Sequence, residues 1–395
     1  MNYILFDDYR REHLLPLTFF RPVCDIRIGI LTIREKWEKY LGVKPSSLTE
    51  VYLQSKFPIV KSAENILING GILPNAELVK QIQMLGPKQA LVKGNTIVAS
   101  YVPESELEDK TGKEEKCLGE IECSIDYTEI LNTWDIFEKN EKALNEDFIL
   151  LTDGRTSQAL SSSNQRIGNG SLFIEEGAIV EASVINTLKG PVYIGKNVEV
   201  MEGCLIRGPL AICENSVLKM GAKIYGATTL GPDTKVGGEV NNSVIFGFSN
   251  KAHDGYLGNS VIAEWCNLGA DTNNSNLKNT YDNVKMWDYA EKTFVDTGLQ
   301  FCGMVMGDHS KCGINTMFNT GTVVGVCTNI FGQGFPRNFI PSFSWGGPSG
   351  FTNYKFSKAI EVAANVYKRR NIDLDETEKE IFARVFDIAH TFHGE

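Results

Sequence analysis

The sequence predicts two unlike architectures in one chain: an α/β domain with a parallel or mixed sheet over residues 1–150, and a parallel β-helix over 166–335. A helical segment over 350–395 follows. Three observations carry this reading. From Ile194 the apolar positions recur every six residues through Val200, Ile206, Ile212, Leu218, Ile224, Leu230 and Val236. Before residue 150, short apolar runs alternate with stretches at helical spacing. After a segment punctuated by Pro336, Pro341, Gly346, Gly347 and Pro348, two amphipathic stripes close the chain.

A period of six fits neither a helix nor an isolated strand. It fits a solenoid in which each hexapeptide is one short strand and one turn, so that stacked coils bury a continuous aliphatic column. Four residues after each hit stand mostly small or medium residues, Val198, Cys204, Leu210, Ser216, Ala222, Thr228, Thr234 and Val240, as a tight inward turn requires. Ile174 and Val180 precede the run; Ile262 and Leu268 lie between its blocks. Met306, Cys312, Phe318, Val324 and Ile330 resume it. The period breaks at 241–261 and 274–300, which are expected to be loops pushed out of the coil, where function commonly resides.

In the first part, Tyr3–Phe6 reads as a strand, and Ile30, Ile33, Trp37, Tyr40 and Leu41 lie on one helical face. Asn65–Ile68 followed by Asn69-Gly70-Gly71 reads as a buried strand ending in a turn, and Leu78–Leu85 as a helix. The charged stretch Glu104–Glu122 is expected to be a surface loop and 128–144 a closing helix. At the other end, Phe356, Ile360, Ala363, Ala364 and Tyr367 form one apolar stripe, and Ile381, Phe382, Val385, Phe386 and Ala389 another. These helices would cap the open end of the solenoid or pack on a neighbouring subunit.

Of 395 residues, 42% are apolar and 22% charged, which excludes wholesale disorder. The net charge of −10, with no stripe of Lys or Arg, argues against a nucleic-acid or anionic-membrane partner. No apolar run approaches the length of a membrane span. The acidic turn after Tyr3-Ile4-Leu5-Phe6 is unlike a signal peptide. Nine scattered cysteines without a C-x-x-C pair point to reduced thiols and a cytoplasmic location. Cys204, Cys213, Cys266, Cys312 and Cys327 read as small inward-facing core residues.

One of only five histidines, His253, stands in the first break, flanked by Gly255 and Gly258 and followed by Asn267, Asn273, Asn274 and Asn276. Imidazole is the side chain suited to take a proton near neutral pH, and amides orient polar substrates. A surface histidine in an Asn- and Gly-rich turn is the alternative. His253 with His309 is too sparse a set for a shared metal site of the γ-carbonic anhydrase kind.

The run His253-Asp-Gly-Tyr256-Leu-Gly, then Asn267-Leu-Gly-Ala-Asp-Thr, then Asn276, resembles the H-x-x-Y-L-G, N-[IL]-G-A-x-T, Asn series of the bifunctional N-acetylglucosamine-1-phosphate uridyltransferase/glucosamine-1-phosphate N-acetyltransferase family. The whole chain resembles the variant branch of that family described from Bacteroidetes. The resemblance implies a left-handed β-helix, a homotrimer, and acetyl-CoA bound between coils. It implies His253 as general base, Tyr256 and Asn267 holding the sugar phosphate, and Asn276 at the amine or acetyl group. Lys219 stands where the family has a phosphate-binding Arg, keeping the charge without the bidentate fork. Glu239-Val240-Asn241 stands where the family has a further Lys. Lys285 and Arg337 are candidates for the coenzyme's phosphates, or ordinary solvated cations.

Leu15-Pro16-Leu17-Thr18-Phe19-Phe20-Arg21-Pro22 resembles the sugar nucleotidyltransferase signature G-x-G-T-R-[LM]-x-P-L-T-x-x-x-P-K. The triphosphate cradle reads Phe6-Asp7-Asp8-Tyr9 without glycine, the Lys position is Val23, and Asn69-Gly70-Gly71 stands where relatives carry a Mg2+-binding Asp. Three readings remain open. The domain transfers a nucleotide using Arg10, Arg21 or Arg27, with Mg2+; it binds a sugar nucleotide without turnover; or it is a structural remnant. The pathway implied is UDP-N-acetylglucosamine formation from a sugar phosphate, acetyl-CoA and a nucleoside triphosphate. The rivals are a nucleotidyltransferase for another sugar-1-phosphate, thymidylyltransferase-like with a non-catalytic β-helix, and a trimeric scaffold without turnover.

Overall fold

The computed structural model describes residues 1–107 and 119–392. It divides into two compact units: Met1–Leu14, Phe20–Ile26 and Leu31–Leu131 form the first, and Leu15–Phe19, Arg27–Ile30 and the chain from Asn132 onward form the second.

The first unit is a mixed sheet of β1 (Asn2–Phe6), β2 (Ser46–Leu48), β3 (Glu64–Asn69), β4 (Gln89–Lys93), β5 (Thr96–Pro103) and β6 (Gly119–Glu122), in the order β2-β1-β3-β5-β4-β6. β1 runs parallel to β2 and β3, and β5 antiparallel to β3 and β4. Its helices are α1 (Arg10–His13), α2 (Ile33–Leu41), α3 (Ala76–Gln83) and α4 (Glu104–Leu107). α2 starts on a capping box of Thr32 and Glu35 and stops at left-handed Gly42, so its ends are fixed by local sequence. Its Trp37 is fully buried and donates its indole N–H to the Ile72 carbonyl. The expected loop over Glu104–Glu122 needs correction at both ends. Glu104–Leu107 is helical, and Gly119–Glu122 pairs parallel with β4 as an exposed edge strand. Such a strand buries neither side and leaves no hydropathy pattern to read. Residues 108–118 of that expectation lie outside the described residues.

The second unit is a parallel β-solenoid with three faces. Among the described residues, face one stacks strands from Gln165–Ile167 to Tyr256–Gly258, face two from Leu172–Ile174 to Phe339–Ile340, and face three from Ile179–Val180 to Ser344–Gly347. Every residue of the six-residue series lies in one buried cluster, from Ile174 and Val180 to Val324 and Ile330. The break at 274–300 carries a hairpin, Lys285–Asp288 against Thr293–Asp296, off the coil. The break at 241–261 is different: its strands stay in the coil. Thr229 pairs with Val244, fifteen residues on, where Ala211 pairs with Thr229, eighteen on. The period is lost there because the turns shorten.

The expected closing helix is two: α5 (Asp135–Glu138) and α6 (Asn140–Thr152). Leu144 and Phe148 of α6 pack with Ile30 on the outward side chains Phe173, Tyr193 and Ala211. Gly29 threads between them. Its N–H donates to Asn140 Oδ1 (2.7 Å), its carbonyl accepts from the Thr229 hydroxyl (2.7 Å), and a Cβ there would strike Ala143. Cys204, Cys266 and Cys312 face the interior as expected. Cys213 and Cys327 do not: Cys213 faces outward under Ile30, and Cys327 sits at a corner covered by Ala359 and Ala363.

The corner between faces two and three places one residue per coil in left-handed backbone. In the first coils that residue is Gly177, Asn197, Asn215 and Asp233, types that tolerate the conformation. In later coils it is Phe248, Trp265, His309, Cys327 and Phe343, where bulky side chains are rare. Packing compensates. α7 (Phe356–Lys368) and α8 (Glu376–His390) lie along these corners rather than capping the coil's end. Trp265 stacks between Phe248 (4.3 Å) and Tyr367 (4.1 Å), and Phe382 meets His309 (4.7 Å). Restoring a conformationally suited residue by Trp265→Asn should therefore destabilise. The lost packing, about 3–5 kcal/mol, outweighs the roughly 1–2 kcal/mol of relieved strain. Denaturant unfolding should show a lower midpoint; an unchanged one would contradict this account.

Candidate functional site

His253 occupies the corner between faces three and one. The preceding coil crosses that corner in two residues, Gly237-Gly238, instead of the four of Lys219–Ala222. A Cβ on Gly238, itself at positive φ, would lie 2.9 Å from the His253 carbonyl and 2.8 Å from that of Gly255. One on Gly237 would lie 2.6 Å from the Ala252 carbonyl. The glycine pair thus makes room for the His253 loop to fold back on the coil, with the imidazole exposed.

The loop runs into the strand Tyr256–Gly258. The Tyr256 ring lies across Gly258, where a Cβ would collide with its hydroxyl, so the Gly of the motif is required by the Tyr. Asn276 donates to the Tyr256 hydroxyl (3.0 Å) and to Asn259 Oδ1 (2.8 Å). The structure therefore brings Tyr256 and Asn276 together and adds Asn259. The neighbouring amides do other work. Asn273 Oδ1 accepts from the Tyr256 N–H (2.8 Å) and Asn274 Oδ1 from the Gly258 N–H (2.9 Å). They complete the strand edge, as buried backbone donors require. Glu239 pairs alongside Tyr256 and accepts from the Tyr225 hydroxyl, so a carboxylate stands near the place of the family's cation.

The other expected residues are more dispersed. Asn267 is exposed on face three, paired between Asn250 and Lys311. Half-buried Lys219 bonds to Val236 and so stacks beneath Gly237, two coils ahead of Ala252. At the usual strand spacing two coils are about 10 Å. Lys285 lies on the hairpin opposite Asp296, and Arg337 in the exposed segment 331–338. Among the described residues neither bonds to the His253–Asn276 group.

One residue that motif reading passed over is Lys251. It takes an inward position of the coil, in register with Val236, and is 2% exposed. Its amine donates to the His253 carbonyl, anchoring the loop from within. Burial pushes its pKa down to about 8, partly offset by Asp254 and Asp271. The unfolded chain therefore binds more protons between pH 8 and the ordinary lysine value, and stability rises with pH across that window. Below it the charged amine costs about 3 kcal/mol. Lys251→Met should be more stable than the native chain at pH 7, and the difference should shrink toward pH 10. Urea titrations at both pH values check this; a difference that does not depend on pH would exclude it.

In the first unit, Arg10 is 1% exposed. It donates to Thr96 Oγ1 (2.8 Å) and lies against Asp8 (3.4 Å) and Glu129 (3.2 Å), while its Nε and Nη1 make no hydrogen bond. Arg21 is buried in the same unit, its carbonyl taken by Arg11. Arg27 belongs to the second unit, with its guanidinium on the Ile30 carbonyl and Cys213. The Mg2+ implied by the resemblance fits poorly here. Arg10 already faces both carboxylates, Asn69 donates to Asp8 (2.8 Å), and among the described residues no three of His, Cys, Asp and Glu converge. Asp8 and Glu129 thus already balance the Arg10 charge, while its Nε and Nη1 complete no hydrogen bond.

Residues 3–156 match the family model described as sugar nucleotidyl transferase. The chain is 30% identical over 146 residues to a bifunctional sugar-1-phosphate nucleotidylyltransferase/acetyltransferase of Sulfurisphaera tokodaii, covering 36% of each. It is 31% identical over 215 residues to the bifunctional protein GlmU of Methanocaldococcus jannaschii, covering 54% of this chain and 45% of the relative. An uncharacterized acetyltransferase, YaiX, of Escherichia coli is 25% identical over 166 residues, 42% of this chain and 71% of the relative. The chain thus spans less than half the length of the first two. Among the described residues no helix is long and apolar enough to cross a membrane. A segment matched by the sugar nucleotidyl transferase family is thus joined to a β-solenoid, in a chain similar to bifunctional nucleotidylyltransferase/acetyltransferase proteins.

Proposed function

We propose that the protein is a two-activity transferase, acting as a cytoplasmic homotrimer, that acetylates glucosamine-1-phosphate from acetyl-CoA and transfers a nucleotide to the product, giving UDP-N-acetylglucosamine. The observation that carries the first activity is that Asn276 joins the Tyr256 hydroxyl to Asn259, on the strand that directly follows the loop of the exposed His253. The sugar amine attacks the thioester carbonyl, a C–N bond forms and the C–S bond breaks. His253 takes the proton from nitrogen and returns it to the departing thiolate, so the coenzyme leaves as the thiol. Tyr256, Asn267 and Asn276 orient the sugar, and Lys219 supplies charge for its phosphate.

For the second activity, the support is the match over residues 3–156 and the buried Arg10, whose Nε and Nη1 make no hydrogen bond. Arg10 is assigned to the phosphates of the nucleotide, and no step is routed through a metal.

The purified chain, given glucosamine-1-phosphate and acetyl-CoA, should release free thiol. His253→Ala should lower that rate roughly 10²–10⁴-fold with unchanged thermal unfolding. Thiol release that survives the substitution would remove His253 from the chemistry, and none from the native chain would remove the reading. With UTP and N-acetylglucosamine-1-phosphate the native chain should release pyrophosphate. Arg10→Lys, folded by circular dichroism, should lose this and keep thiol release; equal pyrophosphate from both would acquit Arg10.

A further inference from the structure

A cavity of about 470 Å³ opens on face three of the solenoid under the end of α7. Four cations line it, Lys235, Lys311, Arg369 and Arg370, and no Asp or Glu does. The chain carries 49 acidic residues against 39 basic ones, so a cluster of four basic side chains without a carboxylate runs against the composition. None of the four forms an ion pair among the described residues. Arg370 approaches only the Asn250 amide oxygen (3.4 Å), and Lys311 donates to the His309 carbonyl (2.8 Å). Burial holds the Lys311 amine below the ordinary lysine range, and the ionisable groups that favour its charge are the thiols Cys266 and Cys327. Lys235 and Arg369 are exposed and Lys311 and Arg370 half-buried, so an anion entering the cavity meets positive side chains from both the coil and the end of α7, with no carboxylate to displace.

The volume falls within the range of small-molecule sites, roughly 300–1,000 Å³. Asn267 and Ala252 also line it, and Ala252 directly precedes His253. A ligand with its phosphates among the cations would extend its other end toward the His253 loop.

We propose that this cavity binds the phosphate groups of an organic phosphate ester, held by Lys235, Lys311, Arg369 and Arg370. Two ligands of the proposed reaction carry that chemistry, the acyl-donor coenzyme and the sugar-1-phosphate. The choice between them rests on the acetyl-transfer reading, whereas the anion site itself does not. Arg369 and Arg370 lie at the end of α7, so a double Arg369→Ala/Arg370→Ala variant leaves the coil intact, which thermal unfolding verifies.

Calorimetric titration of coenzyme A, glucosamine-1-phosphate and pyrophosphate into the native chain and the double variant tests the proposal. At least a tenfold loss of affinity for coenzyme A supports it and names the coenzyme. The same loss for glucosamine-1-phosphate supports it and names the sugar. Equal binding by native and variant chains, or no binding of any of the three to the native chain, overturns it. Thiol release measured in parallel separates the two claims. Acetyl transfer with unchanged KM values in the variant removes the cavity and leaves the function. A native chain without transfer whose pyrophosphate binding the variant loses removes the function and leaves the cavity.

Discussion

No coil of this solenoid can bury its own aliphatic residues; each is covered only by the coils above and below. The column from Ile174 to Ile340 is one cluster for that reason, and the six-residue spacing of its members is the spacing of the faces. The same constraint sets the corners. Every coil must turn between faces two and three, and the residue that makes the turn must accept left-handed backbone. Asn and Asp meet this locally in the early coils. Trp265 and His309 are covered there by Tyr367 of α7 and Phe382 of α8, and Phe248 stacks on Trp265. The helices are therefore part of the solenoid's folding solution rather than an appendage to it.

The candidate site arises where the stacking rule is bent. Shortening one corner to Gly237-Gly238 lets the His253 loop lie on the coil, and the intrusion of Lys251 into the aliphatic column ties that loop from below. The Tyr256–Gly258 edge cannot continue its ladder in the usual way, so Asn273 and Asn274 side chains finish it. That frees Asn276 to reach the Tyr256 hydroxyl. A rigid coil thus presents polar groups with little backbone entropy left to lose on binding.

The solenoid was readable because its period repeats over many coils, and each repetition reinforces the pattern. The α2 boundaries were readable because Thr32, Glu35 and Gly42 act locally. The 241–261 segment misled because a shortened turn and an expelled loop break a period alike. The strand Gly119–Glu122 had no hydropathy signal to give. Among site residues, Tyr256 and Asn276 could be paired from the motif, but Asn259 and Lys251 could not. Lys251 would have surfaced only by extending the inward register across a coil three residues short. The cavity cations were invisible in sequence, since Lys235, Lys311 and Arg369 converge only once α7 is laid on face three.

The course of synthesis is constrained by Gly29. Its carbonyl is met by the Thr229 hydroxyl and its N–H by Asn140, while Ile30 bonds to Asp147. At translation rates of roughly 5–20 residues per second, the partner two hundred residues downstream emerges about 10–40 s after the segment it secures. For most of that interval Ile30 has no Tyr193 or Ala211 to cover it. The nascent chain thus exposes an apolar residue that the later coils shelter.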